Sequence, residues 1–214
     1  MPLAADWVTI SALATAAGTL VLAVATFSSV RSANRAARVA ERSLLAGLRP
    51  LLVPSRLEDP AQKVFFLGER HLFVPGGSAT AECTDEAVLI AASIRNAGSG
   101  IAVLQGWHFH PELEPRAEHP PPEEFTRLTR DIFIAVGEIG FWQGSFRDPS
   151  SDAFAVARRV LESGGPWMID VLYSDAEGGQ RVISRYSMTA REDGGWLAAA
   201  GRHWSIDGVD PRYG

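Results

Sequence analysis

The chain has 214 residues, 46% of them hydrophobic, a single cysteine, and a net charge of −5 from 20 basic and 25 acidic side chains. One thiol excludes an intrachain disulfide framework, and the acidic balance argues against nucleic acid as a partner, because phosphate binding requires a basic patch. The charge is unevenly spread: one acid precedes residue 30, residues 31–50 carry a net +4, and residues 51–214 are left with −8.

Trp7 to Val30 is a run of 24 residues without a charge. A helix of about 20 apolar residues crosses the hydrocarbon core of a bilayer, and this run would reach about 36 Å. The preceding MPLAAD lacks the basic flank of a secretory signal peptide. Residues 1–30 therefore read as a membrane anchor, with Trp7 and Val30 at its ends and Gly18 near its middle. Ala14 and Gly18, with Ser11, Ala25 and Ser28 near the same face, form a small-residue stripe that suits homo-oligomerisation through the span.

Residues 31–50 read as a basic juxtamembrane helix. Arg31, Arg35, Arg38 and Arg42 recur along one stripe, placed to meet anionic lipid headgroups. Gly47 and Pro50 end the helix. With Arg49 these arginines outweigh Glu41, so the rule that basic residues stay inside places the N-terminus outside and the large domain in the cytoplasm, at the plasma membrane. Span and neck together are expected to form one helix of about 40 residues.

From residue 51 the period becomes that of strands. KVFFLGERHLFVPGG reads as two brief strands around Gly68. EAVLIAASIRNAGSGIAVLQGWHFHP reads as two strands separated by NAGSG, which serves as a turn or a crossing between sheets. Val88, Ile90, Ala92 and Ile94 share a face of the first, and Ile101, Val103, Trp107 and Phe109 of the second. PELEPRAEHPPPEEFTRL is a polar, proline-rich surface loop, and RDIFIAVGEIGFW resumes strand. DPSSDAFAVARRVLESGG is a helix capped at Ser150, Ser151 or Asp152 and stopped by Gly164 and Gly165; it is expected to cover an open end or edge of the sheet. The C-terminal part is a meander of three strands with turns at AEGG and EDGG. Residues 51–214 thus form one mainly β domain, sandwich-like, of about seven or eight strands with a single helix; an α+β sheet is the alternative.

An N-terminal span, an arginine-rich neck ending in LRPLLVPSR, and a strand followed by IRNAGSGIAV are together similar to a group of uncharacterised bacterial single-pass membrane proteins. The matching residues, Arg49, Pro50, Asn96, Gly98, Gly100 and Ala102, are structural in type. The resemblance implies the architecture and transfers no catalytic residue.

Candidate chemistry is sparse. His108 and His110 lie two apart on a strand and face the same side, with Glu112 and Glu114 following, so they are the candidate metal ligands. The H-x-H pattern resembles that of cupins, but Ala102 stands where that motif has glycine, and the second cupin motif is missing. His71, His119 or His203 would have to complete such a site; otherwise the pair sits half-exposed on an edge strand. Asp170, Asp175, Glu177, Arg181 and Arg185, near His203 and Asp207, read as cross-strand pairs and turn residues. Cys83 has an acidic neighbourhood that raises a thiol pKa. No G-x-S-x-G motif or phosphate-cradling glycine loop occurs. The tryptophans read as core, although Phe141 and Trp142 after Gly140 form a candidate partner anchor. The expected function is a non-enzymatic binding module at the inner leaflet with no cofactor, its partners the anionic bilayer and a protein. The alternatives are a metal-dependent enzyme using His108 and His110, and a structural subunit of a membrane assembly.

Overall fold

The computed structural model describes residues 3–68, 70–113, 117–192 and 194–207, with backbone alone for 3–5, 42, 45 and 46. The chain forms two compact units, Met1–Ala46 and Gly47–Gly214. The first is a helix, α1 (Leu3–Gly47), of 45 residues. It continues through residue 30 without a break, as the even run of alanine, leucine and arginine demands, since all three are strong helix formers. Its hydroxyls turn inward to its own backbone: Thr15, Thr19 and Thr26 donate to the carbonyls of Ser11, Thr15 and Leu22 at 2.8–2.9 Å.

The second unit contains β1 (Leu52–Pro54), β2 (Gln62–Phe65), β3 (His71–Val74), β4 (Ser78–Cys83), β5 (Val88–Asn96), β6 (Ala102–His110), β7 (Thr126–Ile134) and β8 (Ile139–Phe146). These are followed by α2 (Asp152–Glu162), β9 (Trp167–Ser174), β10 (Val182–Ala190) and β11 (Trp196–Ser205). Nine strands form one antiparallel sheet, and β2 pairs only with β3. The large sheet curls into two layers. In one, β5 pairs with β8 along one edge, while β4 and β1 share the other edge end to end. In the other, the order is β7, β6, β9, β10, β11. Among the described residues the layers share one strand pairing, where Trp196 and Leu197 of β11 meet Ala79 and Ser78 of β4. The far strands β7 and β8 are linked by residues 135–138, so the curl is closed by a short connection.

The core lies between the layers. Trp107 of β6 meets the fully buried Trp142 of β8 edge to face at 5.6 Å. β5 is apolar at nearly every position because both its faces are covered: Val88, Ile90, Ala92 and Ile94 face the main core, and Leu89 and Ala91 pack under Val64, Leu72 and Val74 of the β2–β3 hairpin. Helix α2 inserts Phe154, Ala157 and Leu161 into the same core. Its N-terminus is capped by Ser151, whose Oγ accepts from the Phe154 N–H at 3.3 Å.

Four sequence readings are corrected. RDIFIAVGEIGFW is not one strand: it breaks at residues 135–138, where Gly137 adopts φ 78°, and the count among the described residues rises to 11 strands. In β6 a bulge between Leu104 and Gly106 changes the register, so Ala102, Leu104, Trp107 and Phe109 face the core, while Ile101 is 44% exposed. Trp142 is a core residue and offers no partner anchor. The strand bearing His108 and His110 lies between β7 and β9, but its β7 pairing ends at Trp107, so the two histidines are paired on the β9 side, and His110 is buried where half-exposure was expected.

NAGSG is a crossing between layers, and it has a second task. Backbone groups of residues 48–51 run directly against Gly98 and Gly100, where any Cβ would overlap the Leu48 carbonyl and the Arg49–Leu51 backbone. Asn96, fully buried, uses its whole amide here: Oδ1 accepts from the Leu51 and Gly98 N–H groups, and Nδ2 donates to the Gly100 and Ile134 carbonyls. LRPLL and NAGSG, distant in sequence, are thus two halves of one clamp.

Candidate functional site

The outer face of the second layer carries the densest polar constellation. His108 and His110 project from β6, Asp170 from β9 and Arg185 from β10, in a row set by the pairings His108 with Asp170 and Arg185 with Asp170. Asp170 is fully buried. Arg185 donates to both its oxygens, Nε to Oδ1 and Nη2 to Oδ2, each at 2.7 Å, and His110 Nε2 lies 2.9 Å from Oδ2. Burial by itself would raise the Asp170 carboxyl, but Arg185 and then His110 outweigh it and hold the pKa below the ordinary carboxylate value.

The row continues outward. The Arg185 guanidinium lies 4.9 Å from the Trp204 ring centre, and its Nη2 donates to the Glu118 carbonyl at 3.3 Å. His119 meets Trp204 edge-on at 5.5 Å. β11 bulges opposite Arg185, skipping from the Ser184–His203 pair to the Tyr186–Ala200 pair. Gly201 sits in the bulge, where a Cβ would press on the Arg185 carbonyl at 3.2 Å. A groove of about 430 Å³ opens here, lined by His108, His110, Glu118, His119, Glu124 and Arg185.

His108 is the more exposed imidazole of the pair. It stacks edge-on against His110 at 4.7 Å, and its pKa is lowered by burial first and by His110 second. His110 Nε2 is engaged by Asp170, which also accepts both Arg185 bonds, so only the Nδ1 of His110 is left outside the row. Among the described residues no group of three or more His, Cys, Asp or Glu is arranged to hold a metal ion. Glu112 contributes no contact to the row, Glu114 lies outside the described residues, and His71 is on the β2–β3 hairpin. The groove can recognise polar or charged groups, and its described lining includes no serine, threonine, cysteine or lysine.

Sequence reasoning missed a second constellation, inside the core. Ser184 Oγ lies 2.6 Å from His203 Nδ1 and 2.8 Å from the Tyr173 hydroxyl. A serine bonded to an imidazole is the start of a nucleophilic site, but Ser184 is fully buried. The group is a brace: the Leu52 N–H donates to the Tyr173 hydroxyl at 3.1 Å, and the Tyr186 hydroxyl donates to the Leu52 carbonyl at 2.9 Å. Two phenols from one layer satisfy the backbone of β1 in the other. Only the registers of β9, β10 and β11, bulge included, reveal it.

The remaining candidates disperse. Asp175 organises its turn, accepting from the Gly179 N–H at 2.8 Å, as the sequence suggests. Arg181 and Asp207 form a surface pair, and burial followed by Glu162 raises the Cys83 thiol pKa. On α1, Trp7 and Val30 are 73% and 54% exposed, and nothing approaches the position of a Cβ on Gly18. Arg31, Arg35 and Arg38 share one side of the helix with Phe27, Val30 and Asn34; the Arg42 side chain lies outside the described residues.

No protein-family model and no curated protein matches the sequence. Among solved structures, the chain is similar to a putative ApaA protein from Bordetella pertussis, at 11% identity over 74% of this chain and 99% of that one, with a TM-score of 0.22. It is also similar to a β-glucosidase from Kluyveromyces marxianus, at 15% identity over 64% of this chain and 16% of that one, with a TM-score of 0.23. Likeness at these scores carries no argument about activity.

Proposed function

We propose that this protein is a single-pass, membrane-tethered binding module whose N-terminus lies outside the plasma membrane and whose β domain works at the inner leaflet. The observation that carries the reading is the surface of α1. Between Asp6 and Glu41 it contains an 18-residue stretch of mean hydropathy 2.0, apolar enough to span a bilayer, and none of that stretch is buried in the protein. A helix that exposes Leu20, Val21, Leu22 and Phe27 on all sides needs an apolar solvent. Its threonine hydroxyls, bonded to the preceding turn, require no water, which is the condition lipid imposes.

Residues 1–30 serve as the span and 31–50 as the neck, with Arg31, Arg35 and Arg38 at anionic headgroups. The domain's groove beside His108 is the place for a polar ligand or a protein partner, since imidazole, carboxylate and guanidinium groups converge there. Alkaline carbonate extraction tests the tether, with the chain expected in the membrane pellet. Protease added to intact spheroplasts is expected to spare the β domain, and protease added to inverted vesicles to remove it. Release by carbonate would overturn the tether, and digestion from the outer face would overturn the orientation.

A further inference from the structure

The β2–β3 hairpin has one face sealed onto the domain and one face open. Val64, Leu72 and Val74 point inward; Lys63, Phe65, His71 and Phe73 point outward, paired Lys63 with Phe73 and Phe65 with His71. The open face is aromatic in the middle: Phe65 and Phe73 are 52% and 61% exposed, His71 lies between their rings at 5.9 and 5.3 Å, and Leu67 at the hairpin tip is 70% exposed. Lys63, the sole lysine of the chain, holds its ammonium 4.9 and 5.8 Å from the two phenyl centres. Arg130 and Arg147 reach the backbone carbonyls of Phe65 and Leu67 at 3.3 and 3.4 Å, adding two more cations at the rim. A domain with a net charge of −8 has gathered cations around its most exposed aromatic strip.

We propose that this hairpin face docks on an anionic lipid surface, with Phe65, Leu67 and Phe73 entering the headgroup region and Lys63, Arg130 and Arg147 at the phosphates. The inference rests on the tethered reading, which keeps the domain at the bilayer and makes even weak docking effective. Two features favour lipid over a protein partner. The cations surround the apolar strip, matching a surface whose charge lies at its outer boundary and whose apolar phase lies beneath. An acidic domain would otherwise be repelled from the inner leaflet, and this face reverses the sign locally.

The single lysine supplies the probe. Full-length protein is reconstituted into vesicles of phosphatidylcholine alone or with 30% phosphatidylserine (about that fraction suffices for a strongly negative surface), and Lys63 acylation by a water-soluble amine reagent is followed by peptide mass spectrometry. Lys63 is expected to be protected about fivefold in the anionic vesicles, the effect of one cation at such a surface, and Phe65→Asp with Phe73→Asp is expected to abolish the protection. Equal labelling in the two lipids overturns the proposal. So does protection in both lipids that grows with protein density, because a second copy would then cover the hairpin. Carbonate extraction of the same samples reports the tether separately, so loss of α1 from the bilayer and loss of hairpin docking give different results.

Discussion

Asp170→Asn removes the negative member of a buried charge row while leaving its shape. Arg185, 5% exposed, would then lose its carboxylate partner, and the amide NH2 would face one of the donors, from Arg185 or His110, that now meet the two oxygens. Breaking one side of a buried pair costs about 3–5 kcal/mol. For a domain of this size the expected fall in Tm is about 10 °C. The assay is urea unfolding of residues 47–214, which contain every core cluster described, followed by tryptophan fluorescence. The midpoint should fall with an unchanged slope. Adding Arg185→Met should restore most of the loss, because the stranded charge is then gone. The pH dependence has a definite sign. Asp170 has a folded pKa below its ordinary value of 3.8, so its contribution is full above that value and is lost as pH falls through the folded pKa. Wild type and variant should therefore converge in acid. A cost below about 1 kcal/mol at neutral pH, or costs of the two substitutions that simply add, would refute the buried-pair account.

Gly100→Ala should prevent residues 48–51 from seating, since the new methyl overlaps the Leu48 carbonyl; a loss of about 3 kcal/mol or more is expected in the same unfolding assay, whereas Gly178→Ala, where nothing lies within 4 Å, should cost about 1 kcal/mol through its positive φ alone. Tyr186→Phe leaves the buried Leu52 carbonyl without its donor and should cost about 1–3 kcal/mol, with faster amide exchange confined to β1. His108 is held neutral by burial and by His110, so the unfolded chain takes up the proton first; stability should fall as pH drops below 6.5, and His108→Phe should flatten that slope.

The elements most legible in sequence were those whose cause is local. An uncharged run followed by arginines specified α1, Ser151 with Phe154 and Leu161 specified α2, and Gly68 separated the two strands of the hairpin. What escaped was set by partners far along the chain. The bulge at Leu104–Gly106 follows from pairing with both β7 and β9, and it inverts which side of the strand meets the core, so alternation alone chose Ile101 and Val103 wrongly. Trp142 looked like an anchor because its neighbour Phe141 is flanked by glycine; the covering residue, Trp107, comes from the opposite layer. The row His108, His110, Asp170, Arg185 was visible as residues but not as a site, because 60 positions separate His110 from Asp170 and only the sheet order joins them.

The brace on Leu52 also sets an order of events during synthesis. Its partners lie 121 and 134 positions downstream, and the Asn96 that receives Leu51 lies 45 downstream. While β9 and β10 are still being made, the segment after α1 can meet Asn96 and pair with β5, but its brace has no partners. The brace on β1 can therefore close only after the C-terminal strands emerge. A strand near the start of the domain is thus held in place by two phenols made more than a hundred residues after it.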